Sequence, residues 1–91
     1  VFMSTNIDYV LRALEVEQLI ICGLLTDQCV ESSVRDACDL GYLVTVPEDA
    51  CATMTQERHD QSLGMYGGYC RIVQADQIVG ELQALARQAA E

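Results

Sequence analysis

The sequence predicts an α/β protein, a three-layer α/β/α arrangement in which helices cover both faces of a parallel sheet. Segments with helical periodicity alternate along the chain with short apolar runs, and 51% of the residues are hydrophobic. Alternation of this kind is typical of right-handed crossovers between parallel strands. We predict helices over 6–16, 27–40, about 55–65 and 75–91, and strands over 19–22, 42–46 and 71–74.

The first two elements are a helix and a buried strand. Four apolar residues have helical spacing after a Ser-Thr-Asn group that can cap a helix. The run Leu19–Cys22 that follows is ended by Gly23 and suits a strand covered on both faces. The four helix positions that we expect to face the core are Ile7, Val10, Leu11 and Leu14.

A second helix and a second strand come next. Gly41 is well placed to end the helix, because glycine accepts the left-handed conformation common just past a helix C-terminus. The strand YLVTV is rich in β-branched residues and stops at Pro47. The helix positions expected to lie on the inner side are Val30, Val34, Ala37 and Cys38.

The last elements are a helix, a short strand and a closing helix. Thr53 and Gln56 have the spacing of a capping box, which predicts that a helix begins near residue 55. The segment GMYGGYC is a predicted turn, and RIVQ a predicted strand. The closing helix is expected to turn Ile78, Val79, Leu82, Leu85 and Ala86 inward.

Three strands are few for a doubly wound sheet, and an apolar first strand at a sheet edge would lack a neighbour. We therefore expect residues 1–91 to be the C-terminal part of a larger single domain that requires the missing N-terminal half, and the absence of an initial Met agrees with this interpretation.

Composition excludes several classes of function. Fourteen acidic residues against five arginines give a net charge of −9, so nucleic acid is not an expected partner. The sequence contains neither a signal peptide pattern nor an apolar run of the ~18 residues that a membrane span needs, so we expect no membrane partner and a cytoplasmic location.

The five cysteines, at positions 22, 29, 38, 51 and 70, form no C-x-x-C pair. Neither a zinc site nor a disulfide framework is expected from this spacing. Most of these thiols are expected to be small buried hydrophobic groups, Cys22 and Cys38 above all.

Cys29 has a different setting. The segment Gly23–Cys29 connects a predicted strand to a helix N-terminus, where ligands bind in open parallel sheets. With Thr26 as the N-cap, Cys29 would lie in the first turn, where unpaired N–H groups favour a thiolate and can hold an oxyanion. On spacing alone, a buried thiol and a nucleophile both remain open.

The stretch GLLTDQCVESSVRDACDLGYLVTVPEDACAT resembles the isochorismatase-like cysteine hydrolases, which include nicotinamidases, N-carbamoylsarcosine amidases, ureidoacrylate amidohydrolases and biuret hydrolases. The resemblance runs from residue 2 to about 53. Its matching elements are the turn from Gly23 to Thr26, Cys29-Val30, Arg35-Asp36-Ala37, Gly41-Tyr42 and Asp49-Ala50, with Phe2, Thr5 and the helix of residues 7–14 before them.

The resemblance implies a Rossmann-like fold and a cysteine hydrolase acting on a C–N bond. Cys29 would be the nucleophile, forming a thioester on a small amide or ureido substrate. The backbone N–H groups of Leu25 and Cys29 would form the oxyanion hole, with a cis peptide bond between Leu24 and Leu25. A homo-oligomer is expected, and no cofactor or metal is expected in this chain.

The family mechanism also needs an Asp and a Lys that precede this region, and the chain contains no Lys. The resemblance therefore implies that this chain alone is inactive. Two alternatives remain open: a vinyl-ether hydrolase of the isochorismatase type, in which the Cys does not attack, and a non-catalytic interaction module of the same fold.

Other polar residues near these motifs are expected to have structural roles. Asp27 would complement the helix dipole, and Asp49 would stabilise a turn or, from the crevice edge, contact a substrate. His59, the sole histidine, is expected to be a surface or loop-packing residue. Residues for which solvation or packing is expected are Arg35, Asp36, Tyr66 and Tyr69, and the two tyrosines could also border a pocket.

Overall fold

The computed structural model describes residues 1–90. Its helices are α1 (Ile7–Ala13), α2 (Glu31–Asp39), α3 (Gln56–Tyr66) and α4 (Ala75–Ala90). Its strands are β1 (Gln18–Ile20), β2 (Gly23–Leu24), β3 (Leu43–Pro47), β4 (Cys51–Ala52) and β5 (Arg71–Val73). A π-helical turn (Thr26–Val30) runs directly into α2, and a 3₁₀ turn (Glu48–Ala50) precedes β4.

The main sheet is parallel and has the order β1-β3-β5. Leu19 lies opposite Val44, and Val46 lies opposite Ile72. Helices occupy the connections between these strands, as parallel pairing requires. The predicted α/β fold with a parallel sheet is confirmed.

A second parallel ladder joins β2 to β4, with Gly23 opposite Cys51 and Leu24 opposite Ala52. Neither two-residue strand was predicted: the run assigned to one strand over 19–22 ends at Ile20, and the chain pairs again from Gly23. This ladder brings the segment before Cys29 next to the loop that follows β3.

The core lies around α2, β3 and α3. Gly41 has φ +98° just past α2, so its predicted role in ending that helix is confirmed. The buried hydrophobic residues that form one cluster are Val30, Val34, Ala37, Tyr42, Val44, Val46, Cys51, Leu63 and Tyr66. Of the predicted inner positions of the second helix, Cys38 is only partly buried.

Several predicted inner positions are exposed instead. The run Leu19–Cys22, predicted to be a strand covered on both faces, is exposed at Ile20 and Cys22. In β3, Leu43 is also exposed, while Val44 and Val46 are buried. The other predicted inner positions that are exposed are Val10 in α1, Leu14 directly after α1, and Val79, Leu82, Leu85 and Ala86 in α4. The periodicity predicted the helices correctly, but no neighbour within residues 1–90 covers these faces.

Two local predictions, the cap of α3 and the burial of Cys22, were wrong. Thr53 does not cap α3: Thr55 is the N-cap, and its hydroxyl oxygen accepts a hydrogen bond from the Arg58 N–H at 3.2 Å. Cys22, predicted to be buried, is exposed where β1 gives way to β2. Within residues 1–90, no helix combines the length and apolar character that crossing a membrane requires.

An apolar groove runs between β1 and α4. Ile20, Leu82 and Leu85 line it, and each is about half exposed or more. β1 pairs with β3 on one side only, so its outer edge offers unpaired backbone groups next to this groove.

We predict that the 91-residue chain expressed by itself associates with other copies, because exposed apolar surface beside a free strand edge favours such contacts. Sedimentation velocity should show dimers or larger species. Leu82→Lys should shift the distribution toward monomer, whereas Gln83→Lys, which adds the same charge at a polar exposed position, should not. A folded monomer at all concentrations would contradict the prediction.

Candidate active site

Cys29 lies in the π-helical turn between β2 and α2. Leu25, the N-cap of this turn, is extended, and its carbonyl oxygen accepts hydrogen bonds from the N–H groups of Gln28 and Val30 at 3.0 and 3.1 Å. The prediction that Cys29 lies in the first turn of the helix is confirmed. The cap was wrongly assigned to Thr26, because the turn begins one residue earlier than expected.

The turn buries two side chains and exposes the thiol between them. Thr26 is fully buried and Val30 is nearly so, while Cys29 is exposed. Thr26 and Val30, at the two ends of the turn, anchor its buried side. The thiol of Cys29 is therefore held beside the helix N-terminus and open to solvent, and it is not a core residue.

The peptide bond between Leu24 and Leu25 is cis, as the resemblance implies. The bond immediately precedes the turn, so the backbone of Leu25 borders the same helix N-terminus as Cys29. The assignment of the two N–H groups as oxyanion donors stays a prediction.

The side chain of Thr26 has its partner on α3. Its Oγ1 lies 2.7 Å from Nδ1 of His59, and its carbonyl oxygen accepts hydrogen bonds from the hydroxyls of Ser62 and Tyr66 at 3.2 and 3.3 Å. Thr26 does not cap its helix because its hydroxyl makes this tertiary contact. The turn that carries Cys29 is thus fastened to α3 at both the side chain and the backbone of one residue.

His59 is partly buried against Thr26, so it does pack against a loop, as predicted. In the described part of the chain, no hydrogen bond joins His59 to Cys29. A catalytic Cys-His pair is therefore not what this structure presents.

Asp27 connects the turn to two neighbouring segments. It accepts a hydrogen bond from the Thr53 hydroxyl at 2.6 Å and pairs with the Arg58 guanidinium at 2.7 Å. The Thr53 hydrogen bond and the Arg58 contact lower the pKa of Asp27. Asp27 is therefore an ionised structural group. In addition to its predicted role at the helix dipole, it forms an ion pair with α3.

The remaining thiols differ from Cys29 in burial. Cys51 is buried, and Cys38 and Cys70 are partly buried. Burial raises the pKa of Cys51 and Cys38 above that of an ordinary thiol, and raises the pKa of Cys70 to about 11. Cys22 is thus the one other exposed cysteine among residues 1–90.

The other polar residues singled out from the sequence have structural contacts. The Asp49 carboxylate accepts a hydrogen bond from the N–H of Ala75, the first residue of α4, at 2.7 Å. The Arg35 guanidinium lies over the ring of Tyr69, 5.1 Å from its centroid. Tyr66 is fully buried, and this burial raises its pKa to about 12. Among residues 1–90, no cluster of three or more His, Cys, Asp or Glu side chains could hold a metal ion.

The sequence did not predict that α3 holds the turn. The pattern that could have indicated it is a row of polar side chains on the buried side of a helix: His59, Ser62 and Tyr66 are spaced three and four residues apart. Such residues need hydrogen-bond partners when buried, but the sequence does not name the partner.

Comparison with known proteins identifies related chains. The family model described as Isochorismatase domain matches residues 1–78. Ureidoacrylate amidohydrolase RutB of Agrobacterium fabrum is 49% identical over 49 residues, which are 54% of this chain and 22% of that protein. Nicotinamidase of Escherichia coli is 41% identical over 59 residues, 65% of this chain and 28% of that protein.

A solved structure has the same architecture. The crystal structure of a putative hydrolase of the isochorismatase family from Chromobacterium violaceum superimposes with a TM-score of 0.86 at 30% sequence identity. The superposition covers 91% of this chain and 49% of that one. This chain spans less than half the length of the relatives that it matches.

We predict that Cys29 reacts with iodoacetamide faster than the other four thiols of the folded protein. Helix N-terminal N–H groups favour the thiolate, which is the reactive form, and only Cys29 combines that position with exposure. Brief alkylation followed by peptide mass mapping measures the order. Cys22, which is exposed without a helix N-terminus, is the matched comparison, and preferential labelling of Cys22, Cys51 or Cys70 would contradict the prediction.

We also predict that Thr53→Val raises the pKa of Asp27 toward that of an ordinary carboxyl group. Because folding lowers this pKa, its contribution to stability is present above the ordinary carboxyl range and is lost as the pH falls through the folded value. The variant should therefore lose less stability between pH 7 and pH 3 than the parent. NMR titration of the Asp27 carboxyl carbon measures the shift, and Thr5→Val is the matched control because Thr5 makes no contact with Asp27.

Proposed function

Since the chain belongs to the isochorismatase family, we propose that it carries the nucleophile of a hydrolase that cleaves a C–N bond in a small amide or ureido compound. The observation that carries the proposal is the exposed thiol of Cys29 in the first turn of a helix whose neighbouring side chains are buried. A cysteine in this position is open to a substrate and lies beside N–H groups that can hold an oxyanion, as nucleophilic catalysis needs.

The proposed reaction has two steps. The Cys29 thiolate attacks the carbonyl carbon, and the N–H groups of Leu25 and Cys29 donate to the resulting oxyanion. The C–N bond breaks as the leaving nitrogen takes a proton, which releases ammonia or an amine and leaves a thioester on Cys29. Water then attacks the thioester and loses a proton, the S–C bond breaks, and the thiolate is restored with the acid as product.

The proton transfers need groups that this chain does not supply near Cys29. Asp27 is engaged by Thr53 and Arg58, and no Lys is present in the sequence. We therefore propose that residues 1–91 are the C-terminal part of one hydrolase domain, and that the remainder contributes an Asp as general base and a Lys. The coverage of less than half of each relative supports this view. The 91 residues alone should be inactive.

The substrate class follows from what the relatives share. One relative is named for ureidoacrylate and another is a nicotinamidase, and both names denote a carbonyl carbon bonded to nitrogen. A small substrate containing this group is the common denominator. A cytoplasmic location and assembly into a homo-oligomer complete the proposal and stay predictions.

We predict that Cys29→Ala lowers kcat for ammonia release by at least ~10³-fold in the full-length protein, because the variant cannot form the thioester. The assay measures ammonia from nicotinamide and from ureidoacrylate in parallel. Acid quenching during turnover should reveal the acyl mass on the peptide that contains Cys29. Cys22→Ala removes the other exposed thiol and should leave the rate within about twofold.

The outcomes separate the competing functions. Cleavage of a vinyl ether that survives Cys29→Ala would indicate a reaction in which the cysteine does not attack. A full-length protein that neither releases ammonia nor accumulates an acyl adduct would overturn the proposal and favour an interaction module.

A further inference from the structure

The helix α3 meets the turn of Cys29 through four polar side chains. His59, Ser62 and Tyr66 contact Thr26, and Arg58 contacts Asp27. None of the four has a role in the reaction proposed above. Their shared target is the pair of residues that begins the turn, so their effect on Cys29 is exerted through the backbone.

Of these contacts, the one between His59 and Thr26 is the most costly to lose. Thr26 is fully buried, and a buried hydroxyl left without a partner costs free energy. His59 Nδ1 is the side-chain atom that satisfies Thr26 Oγ1, at 2.7 Å. The Thr26 carbonyl oxygen is held separately by Ser62 and Tyr66. Thr26 is therefore bound to α3 through both its hydroxyl and its carbonyl group.

We infer that His59 is a positioning residue for Cys29, acting through the Thr26 hydroxyl. The inference rests on the proposed function, because it assigns His59 a part in the same site. Thr26 lies three residues before Cys29 in the same turn, and Leu25 directly precedes Thr26, so a shift of Thr26 moves both N–H groups proposed to hold the oxyanion. Small misplacements of reacting groups cost as much as ~10²-fold in rate.

The test compares two substitutions of His59 in the full-length protein. Asparagine places a polar atom at the same number of bonds from the backbone as Nδ1, whereas leucine is of similar size and offers none. For His59→Leu we expect kcat to fall roughly 10- to 100-fold with KM changed by less than about threefold. His59→Asn should restore kcat to within about threefold of the parent.

A second readout does not depend on hydrolysis. His59→Leu should slow alkylation of Cys29 by iodoacetamide several-fold relative to Cys22, because the thiol is no longer held in its exposed place beside the helix N-terminus. The buried Cys51 reports on unfolding. Its alkylation should stay slow in a variant that is folded but mispositioned, and should rise if the variant has lost its structure.

Thr26→Val provides an independent variant in case His59→Leu does not fold. Valine has nearly the shape of threonine without the hydroxyl, so it should reproduce the loss of kcat, whereas Thr26→Ser should not. Glu57→Gln, on the exposed side of the same helix, is the matched control and should behave as the parent.

Parent-like kcat and Cys29 alkylation in both His59→Leu and Thr26→Val would overturn the inference. The same holds if His59→Asn fails to restore either readout while Cys51 stays protected. If Cys29→Ala keeps full activity, the proposed function fails instead, and the alkylation rates still decide whether His59 positions the thiol.

Discussion

Thr26 is fully buried while Cys29, three residues later in the same turn, is exposed, and this opposite placement is the constraint on which the site depends. A turn can expose a thiol reproducibly only when neighbouring residues hold it from inside. Val30 does so by apolar packing in the core, and Thr26 by hydrogen bonds to α3. The helix N-terminus beside Cys29 is therefore joined to the core and to α3, although the thiol itself faces solvent.

The pairing of β2 with β4 explains how the short segment before Cys29 is held in place. β2 pairs with β4, and Thr53, which follows β4 directly, donates to Asp27 in the turn. The residues just before Cys29 are thus held by backbone pairing and those of the turn by side chains. Both contacts come from the segment between β3 and α3, so that segment and the turn form one structural unit.

The sequence predicted the parts of this unit that obey local rules. Helical periodicity located α2, the glycine after it accounts for the helix end, and the strand-to-helix connection located Cys29 in the first turn. The sequence-based predictions were wrong for two hydroxyl groups that could bond either to a nearby backbone group or to a distant residue. Thr26 and Thr53 both have good N-cap chemistry, yet each bonds to a residue 26 or more positions away. Burial decided these cases, because a tertiary hydrogen bond removed from water leaves the local cap to another residue.

The predicted burial of apolar residues in α4 and in or directly after α1 was wrong for a different reason. Their periodicity was predicted correctly, but periodicity states only which side chains share a face and not whether a neighbour covers that face. Leu14 and Leu85 remain exposed for lack of such a neighbour in residues 1–90. Likewise Cys22 was assigned to the core because its apolar surroundings in the sequence suggested burial, whereas it lies at a break between two strands.

The arginine charges near Cys29 are already paired with carboxylates, so the position of Cys29 in its helix is what remains to affect the thiol. Four of its five arginines pair with a carboxylate within residues 1–90, and Arg58, which binds Asp27 in the turn itself, is one of these. Because Asp27 already compensates the Arg58 charge, this pair adds little positive potential at the thiol. What these residues can offer a thiolate is then the set of N–H groups at the start of the helix. Since such dipoles act strongly only within the first turn, the place of Cys29 in that turn matters more than the surrounding charges, and the hydrogen bonds between Thr26 and α3 hold the turn in this place.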